Sequence, residues 1–294
     1  MENSAGTTDT PTLQRGDWKH PDVTDLRGPC PIINSLANHG YIPRDGRNVS
    51  ADEIIEAFQE VLGLAPDSAI GLTKPPFTLH LDQDSDKKDA QDQQDPTNKQ
   101  NQSWFHSFLS KLPGLPTMDS QLSLGLRDAG QVNEKGEPVL NLDQLSRHGA
   151  VEHDVSLIRN DFAQGDNTSI QPHLLEQLLK ASSDGKTFTI ADFAHFRNQR
   201  YRQQKTLNPE LKFGLREAVL AFGEVALVMC VFGVSFAGGY DKAPYEYIKT
   251  LLKEERFPYQ EGWKKRTIPV TLAELSANST YLQAAAFIDS FRQD

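Results

Sequence analysis

Arg27-Gly28-Pro29-Cys30-Pro31-Ile32-Ile33-Asn34 is the stretch on which the reading of this chain turns. Pro31 has no amide donor, and its fixed φ suits the first position of a helix, so a helix is expected to begin there. Cys30 then stands at the N-cap, with its sulfur facing the free amides of Ile32 and Ile33. Those amides and the helix dipole favour a negative sulfur, suited to a metal centre or to nucleophilic attack. Pro29-Cys30-Pro31 also describes a plain capping cysteine in a tight turn, and these three residues alone do not separate the two readings.

Working outward, Ile32 to Gly40 reads as a short helix closed by Gly40. Ser50-Ala51-Asp52-Glu53 reads as a capping box, and Ile54, Ile55, Phe58, Val61 and Leu62 follow it at helical spacing. Residues 1–16 are polar and read as a loose tail. Residues 82–103 are nearly all Asp, Gln, Lys, Asn and Ser. They cannot bury enough surface to offset their ordering entropy, and read as a disordered surface insertion. Further helices are expected over Trp104–Leu112, near Leu142–His148, from Ser156 to Phe162, and over Pro172–Ala181, Ile190–Gln204, Leu211–Phe236, Tyr245–Leu252 and Leu272–Phe291. Phe188-Thr189-Ile190 is the one strand candidate. With no strand series, glycine fingerprint or repeat, the expected fold class is all-α, a single multi-helix domain over residues 17–294.

Composition narrows the function. The chain has 294 residues, 37% of them hydrophobic, enough for one sizeable core. A formal net charge of -10 argues against nucleic-acid binding, which needs a basic face. The longest apolar run, Ala218 to Phe236, is short and contains Glu224, so it reads as a buried helix and not a membrane span. Residues 1–8 have neither a basic region nor an apolar one, so no signal peptide is expected. An intracellular protein is the expectation, with secretion the alternative. Two cysteines, Cys30 and Cys230, exclude a disulfide framework.

Two further segments carry chemistry. Val151-Glu152-His153-Asp154-Val155-Ser156 sets a carboxylate, an imidazole and a second carboxylate side by side. Such a run can hold a hard cation through oxygen, and His153 can transfer protons; alone it is equally a solvated turn. In the long helix after Leu211, Glu217 sits among Lys212 and Arg216 and reads as exposed. Glu224 is flanked by Phe222, Val225, Ala226, Leu227 and Val228. A carboxylate in apolar surroundings is costly unless a partner or a function holds it, and it can serve as an acid–base group. Its structural alternative is the one polar position of an amphipathic helix.

The stretch from Arg27 through Leu36-Ala37-Asn38-His39-Gly40 to Gly46 resembles the start of the fungal haem-thiolate peroxidases, the family of chloroperoxidase and the unspecific peroxygenases. Glu152-His153-Asp154 with Ser156, and Phe222-Gly223-Glu224-Val225-Ala226-Leu227, resemble that family's next two segments, in its order. The likeness runs from Trp18 to about Leu252, outside the insertion, and sides with the shorter branch that has a histidine in the second motif.

The resemblance implies an all-α chloroperoxidase-like fold around haem b, with Cys30 as the iron ligand and Ile32 and Ile33 donating to its sulfur. It implies Glu224 as the acid–base residue, with His153 beside it and Asp154 orienting His153. Glu152, the His153 carbonyl and Ser156 would hold Mg²⁺ or Mn²⁺ at a haem propionate. Val151 and Leu227 would line the substrate channel; Leu62 is taken, without support from the resemblance, as a third wall residue, and all three read equally as ordinary core. His39 reads as a structural helix-end histidine. The partners implied are H₂O₂ and a small aromatic or aliphatic substrate, as in secondary metabolism, with no call on oligomeric state. A cysteine hydrolase using Cys30 and His153, and a haem-binding protein without turnover, are the competing readings.

Overall fold

The computed structural model describes residues 13–80, 124–236 and 239–291. The insertion expected at 82–103, the helix expected over Trp104–Leu112 and most of the N-terminal tail lie outside the described residues. The described end of that tail is anchored: the Gly16 amide donates to the His39 carbonyl at 2.8 Å, and the Gly16 carbonyl accepts from His39 Nδ1 at 2.7 Å.

Helix formation begins where Pro31 allows it. Helix α1 spans Pro31–Asn38 with Cys30 as N-cap, His39 as C-cap and Gly40 just beyond at φ 68°. Helix α2, Ala51–Ala57, starts with the full Ser50/Glu53 capping box and continues into one π-helical stretch, Phe58–Leu62. Then follow α3 Pro66–Thr73, α4 Pro172–Lys180, α5 Ile190–Leu207, α6 Leu215–Phe232, α7 Tyr245–Glu254 and α8 Leu272–Ser290. Helices α5 and α6 both pack on α8, and α1 packs on α7. One core joins them, including Leu36, Phe58, Leu62, Phe188, Phe193, Phe196, Phe232 and Phe257. No helix among the described residues is long and apolar enough to cross a membrane.

The fold is mostly helical, with two small sheets tying the helices together. Strands β1 (Val49–Ser50) and β2 (Val139–Leu140) pair antiparallel. Strands β3 (Thr187–Thr189), β4 (Val234–Phe236) and β5 (Gly239–Pro244) form an antiparallel sheet in the order β3-β5-β4. This corrects the helix expected over Leu211–Phe236 at both ends. At its start, the Lys212 amide is taken by Asp154 Oδ2 at 2.9 Å, so the helix begins only after Gly214, whose amide donates to Glu217 at 2.8 Å. At its end, Val234 leaves to pair with Lys242.

A helix over Ser156–Phe162 does not form either. Side chains satisfy that backbone instead of a helical ladder: Asp161 accepts from the Val155 amide at 2.8 Å, and Arg200 Nε donates to the Ser156 carbonyl at 3.0 Å. Only short 3₁₀ turns appear at Leu142–Ser146 and Phe162–Gln164.

Candidate active site

Cys30 faces a cavity of about 270 Å³ between α1 and α6, whose walls also include Ile32, Ile33, Val151, Glu152, His153, Ser156, Glu224 and Leu227. The cysteine is only half-buried because its surface opens onto this cavity, yet it lies deep in the protein. Its sulfur makes no conventional cap hydrogen bond. Burial pushes the thiol up to about 11, against the Ile33 and Ile32 amides, which act to lower it. The expected amides are therefore in place, but the expected thiolate is not favoured by them alone. A ligand that takes up the sulfur's negative charge has to complete the stabilisation.

The Asn34 side chain, one turn along α1, fixes the loop before Cys30. It accepts from the Gly28 amide at 3.1 Å and donates to the Gly28 carbonyl at 2.7 Å. A side chain at Gly28 would strike the Leu142 carbonyl, which accounts for the glycine.

Opposite, residues 151–156 are folded tightly. Val155 adopts φ 63°, a left-handed conformation that a β-branched residue reaches only at a cost. The turn is held from every side: Asp161 takes the Val155 amide, Arg197 donates to the Val155 carbonyl, and Arg200 donates to the Ser156 carbonyl. Glu152 is buried and accepts from His148 Nδ1 at 2.7 Å through Oε2. That contact outweighs burial and raises the His148 pKa.

His153 Nδ1 donates to the Asp154 carbonyl at 2.7 Å, which turns Nε2 toward Glu224 Oε2 at 3.4 Å. Burial opposes a charged ring, but the Glu224 charge and hydrogen bond overcome it, so the His153 pKa lies above its ordinary value; Arg197 works the other way. Two expectations change here. The Asp154 carboxylate does not orient His153; its backbone carbonyl does. The carboxylate instead accepts from the Lys212 amide and from Asn208 at 3.5 Å. Nor is Glu224 buried among its apolar neighbours: 63% of its side chain is exposed. Phe222 and Ala226 turn into the core, while Glu224 fronts the cavity.

Val151 and Leu227 both line the cavity, joined by Ile54, Phe58, Phe77 and Val228. Leu62 does not. It is fully buried in the core. No sequence signal singled out Arg159, Arg197, Arg200, Asp161 or Glu255. In a bare sequence, charges on a helix such as α5 read as a solvated face, yet Arg197 and Arg200 are both 2% exposed.

This arrangement can hold a flat, apolar group with a metal-binding centre. Its lining brings together one sulfur, a carboxylate paired with an imidazole, and aliphatic surface. Glu152, His153 and Ser156 line the same cavity. Among the described residues no three His, Cys, Asp or Glu side chains gather to hold a metal on their own.

The sequence pattern of the family described as "Peroxidase, family 2" matches residues 16–268. An aromatic peroxygenase from Coprinellus radians is 28% identical over 209 residues, covering 70% of this chain and 66% of that protein. The dothistromin biosynthesis peroxidase of Dothistroma septosporum is 27% identical over 73% of this chain and 44% of its own length. A chloroperoxidase from Leptoxyphium fumago is 25% identical over 83% of this chain and 55% of that protein. The matched region thus spans from under half to about two thirds of these relatives.

Proposed function

The chain belongs to the family 2 peroxidases, and from that premise we propose that it is a haem-thiolate peroxidase or peroxygenase that uses H₂O₂ to oxidise or oxygenate small organic molecules. The observation that carries the proposal is a cavity lined both by Cys30 and by the Glu224–His153 pair. The residues present fit haem b: a sulfur with two backbone amides acting on it, apolar walls, and an acid–base pair facing it.

Cys30 would hold the haem iron, and the bound haem would supply the redox centre at which peroxide is cleaved, with thiolate electron density favouring O–O scission. Glu224 accepts a proton at Oε2 from the nearer peroxide oxygen and returns it to the farther one. His153 Nε2, 3.4 Å away, shares that proton and holds the carboxylate in place. The Asp154 carbonyl fixes the ring so that Nε2 remains the facing atom. Val151, Leu227 and Val228 keep water from the reacting region and leave room for an apolar substrate. Glu152, the His153 carbonyl and Ser156 would hold Mg²⁺ or Mn²⁺ beside a haem carboxylate, the strained turn at Val155 presetting their spacing. By analogy with the dothistromin biosynthesis peroxidase, an aromatic secondary metabolite is the substrate class we favour.

The hydrolase alternative has little support. Burial raises the Cys30 pKa, where a nucleophilic cysteine needs it lowered, and His153 Nε2 faces Glu224. The test is a reduced-plus-CO spectrum of the purified protein. Thiolate ligation predicts the long-wavelength band characteristic of a haem–cysteinate, and its disappearance in Cys30→Ala. An unchanged band in that variant would end the assignment.

A further inference from the structure

Beside Cys30 lies a buried ion pair that the proposed chemistry does not use. Arg159 is 2% exposed, and its NH2 donates to Glu255 Oε1 at 2.8 Å. Its Nε and NH1 have no hydrogen-bond partner. Glu255 sits at φ 46°, an uncommon left-handed conformation for a glutamate, just after the last turn of α7. Both ends of this residue are in use. Oε1 also accepts from Asn34 Nδ2 at 2.8 Å, and the Glu255 carbonyl accepts from Asn38 Nδ2 at 3.0 Å. Asn34 is the residue that clamps Gly28 before the cysteine, and Asn38 receives Arg27 Nη2 at 2.7 Å. Arg159 itself lines the same cavity as Cys30.

A buried ion pair is a poor way to gain stability, because desolvation consumes most of the attraction. Two unpartnered N–H groups and a strained backbone make this one costlier still. Such an arrangement persists where a fixed field or a fixed geometry is needed. The pair reaches the cysteine by two routes: mechanically, through Asn34 and the Gly28-Pro29 turn, and electrostatically, as a positive and a negative charge in a medium of low dielectric. The charged groups acting on the sulfur are then Glu224, Glu255 and Arg159.

We propose that Arg159 and Glu255 are positioning residues for Cys30, a balanced charge pair that sets how strongly the sulfur donates electrons to a bound iron. This rests on the haem-thiolate reading. The arginine charge draws electron density back on the sulfur and favours reduced iron; the glutamate does the opposite. Neither residue exchanges protons or electrons with substrate.

The test is a redox titration of the haem-loaded protein, followed by its absorbance, in Glu255→Gln, Arg159→Gln and Arg159→Lys. Glu255→Gln keeps the acceptor for Asn34 and leaves the guanidinium uncompensated, so the potential is expected to rise. Arg159→Gln leaves the carboxylate uncompensated, so the potential is expected to fall. Arg159→Lys keeps the charge and is expected to stay near the wild type. The ferrous-CO band is expected to move in opposite directions in the two Gln variants. Any two folded members of this set give the comparison of sign. Equal potentials, or shifts of the same sign, would overturn the proposal and leave a packing role only. A wild-type chain that took up no haemin would instead sink the haem-thiolate reading, before any variant was compared.

Discussion

Arg197 donates one guanidinium N–H to the carbonyl of Val155. Its Nη2 donates to the Ala221 carbonyl at 3.1 Å, so one side chain of α5 joins the Glu-His-Asp turn to the helix that carries Glu224. Val155 is the strained residue of that turn, and Ala221 lies one turn before Glu224. The separation of His153 from Glu224 is therefore set from outside the pair. Burial depresses the Arg197 pKa to about 10, with the Glu224 charge opposing it, so the guanidinium stays charged through the neutral range.

Arg197→Met is expected to lower stability by about 2 kcal/mol, the scale of losing hydrogen bonds to a charged group, partly offset by removing a buried charge. Activity should fall further than stability explains, because the His153–Glu224 geometry loosens. Urea unfolding gives the first quantity, and kcat/KM for peroxide at a temperature where the variant is fully folded gives the second. Wild-type kcat/KM in a destabilised variant would show that the clamp serves folding alone.

Glu224→Gln is expected to fold normally, since the side chain fronts a cavity and supports no packing. Peroxide-dependent turnover should fall by about 10²–10⁴, the usual contribution of a positioned acid–base group. His153→Gln, which retains a neutral donor beside the carboxylate, is expected to lose less. A Glu224→Gln enzyme within a factor of two or so of the wild type would move the proton-transfer role elsewhere.

How much of this site was readable beforehand follows from which interactions are local. Cys30, Pro31 and the Ile32 and Ile33 amides are neighbours in sequence, so their geometry was legible from helix-start chemistry. The same holds for Ser50 and Glu53, and for His39 beside Gly40. The contacts that tighten the site are long-range and were not legible: Arg197 to Val155, Asp161 to Val155, Glu255 to Asn34. The polar face of α5 gave no hint that Arg197 and Arg200 point inward, because inward charge is justified only by the carbonyls of a distant turn. Glu224 lies on the expected helix and fronts the cavity, but its side chain is more open than its apolar sequence neighbours suggested. Its neighbours Phe222 and Ala226 turn into the core while it faces open space. Leu62 was misplaced because a buried leucine and a wall leucine carry the same local signal, and only long-range packing separates them.

His39 provides a test of pH dependence with a definite sign. The ring is buried, donates from Nδ1 to the Gly16 carbonyl, and accepts at Nε2 from the Phe257 amide at 3.2 Å. It can accept only while neutral. Burial lowers its pKa below 6.5, against the Gly16 contact. A base whose folded pKa is depressed contributes stability that is present above its unfolded pKa and lost as pH falls through the folded value. The wild type should therefore lose stability as pH drops below about 6.5. In His39→Gln this part of the slope should be missing, while the opposite contributions of His148 and His153 remain in both proteins. Melting temperatures of the two proteins between about pH 5 and 8 give the comparison, and parallel curves would contradict the neutral, two-bonded ring.

The contrast between Leu62 and Leu227 separates core from channel. Leu62 is fully buried, so Leu62→Ala is expected to cost roughly 2–5 kcal/mol in unfolding free energy and to leave the ranking of substrates unchanged. Leu227 is only partly buried and lines the cavity one turn's reach from Glu224. Leu227→Phe should cost little stability, because the added ring projects into open space and not into packed core. It should narrow the approach to Glu224 and shift relative kcat/KM away from the bulkier of two aromatic substrates by about tenfold, the effect of a small change in apolar pocket volume. Urea titrations of both variants, with paired kinetics on a one-ring and a two-ring substrate, decide the matter. Unaltered selectivity in Leu227→Phe would place the substrate path along another wall of the cavity, past Phe58 and Phe77.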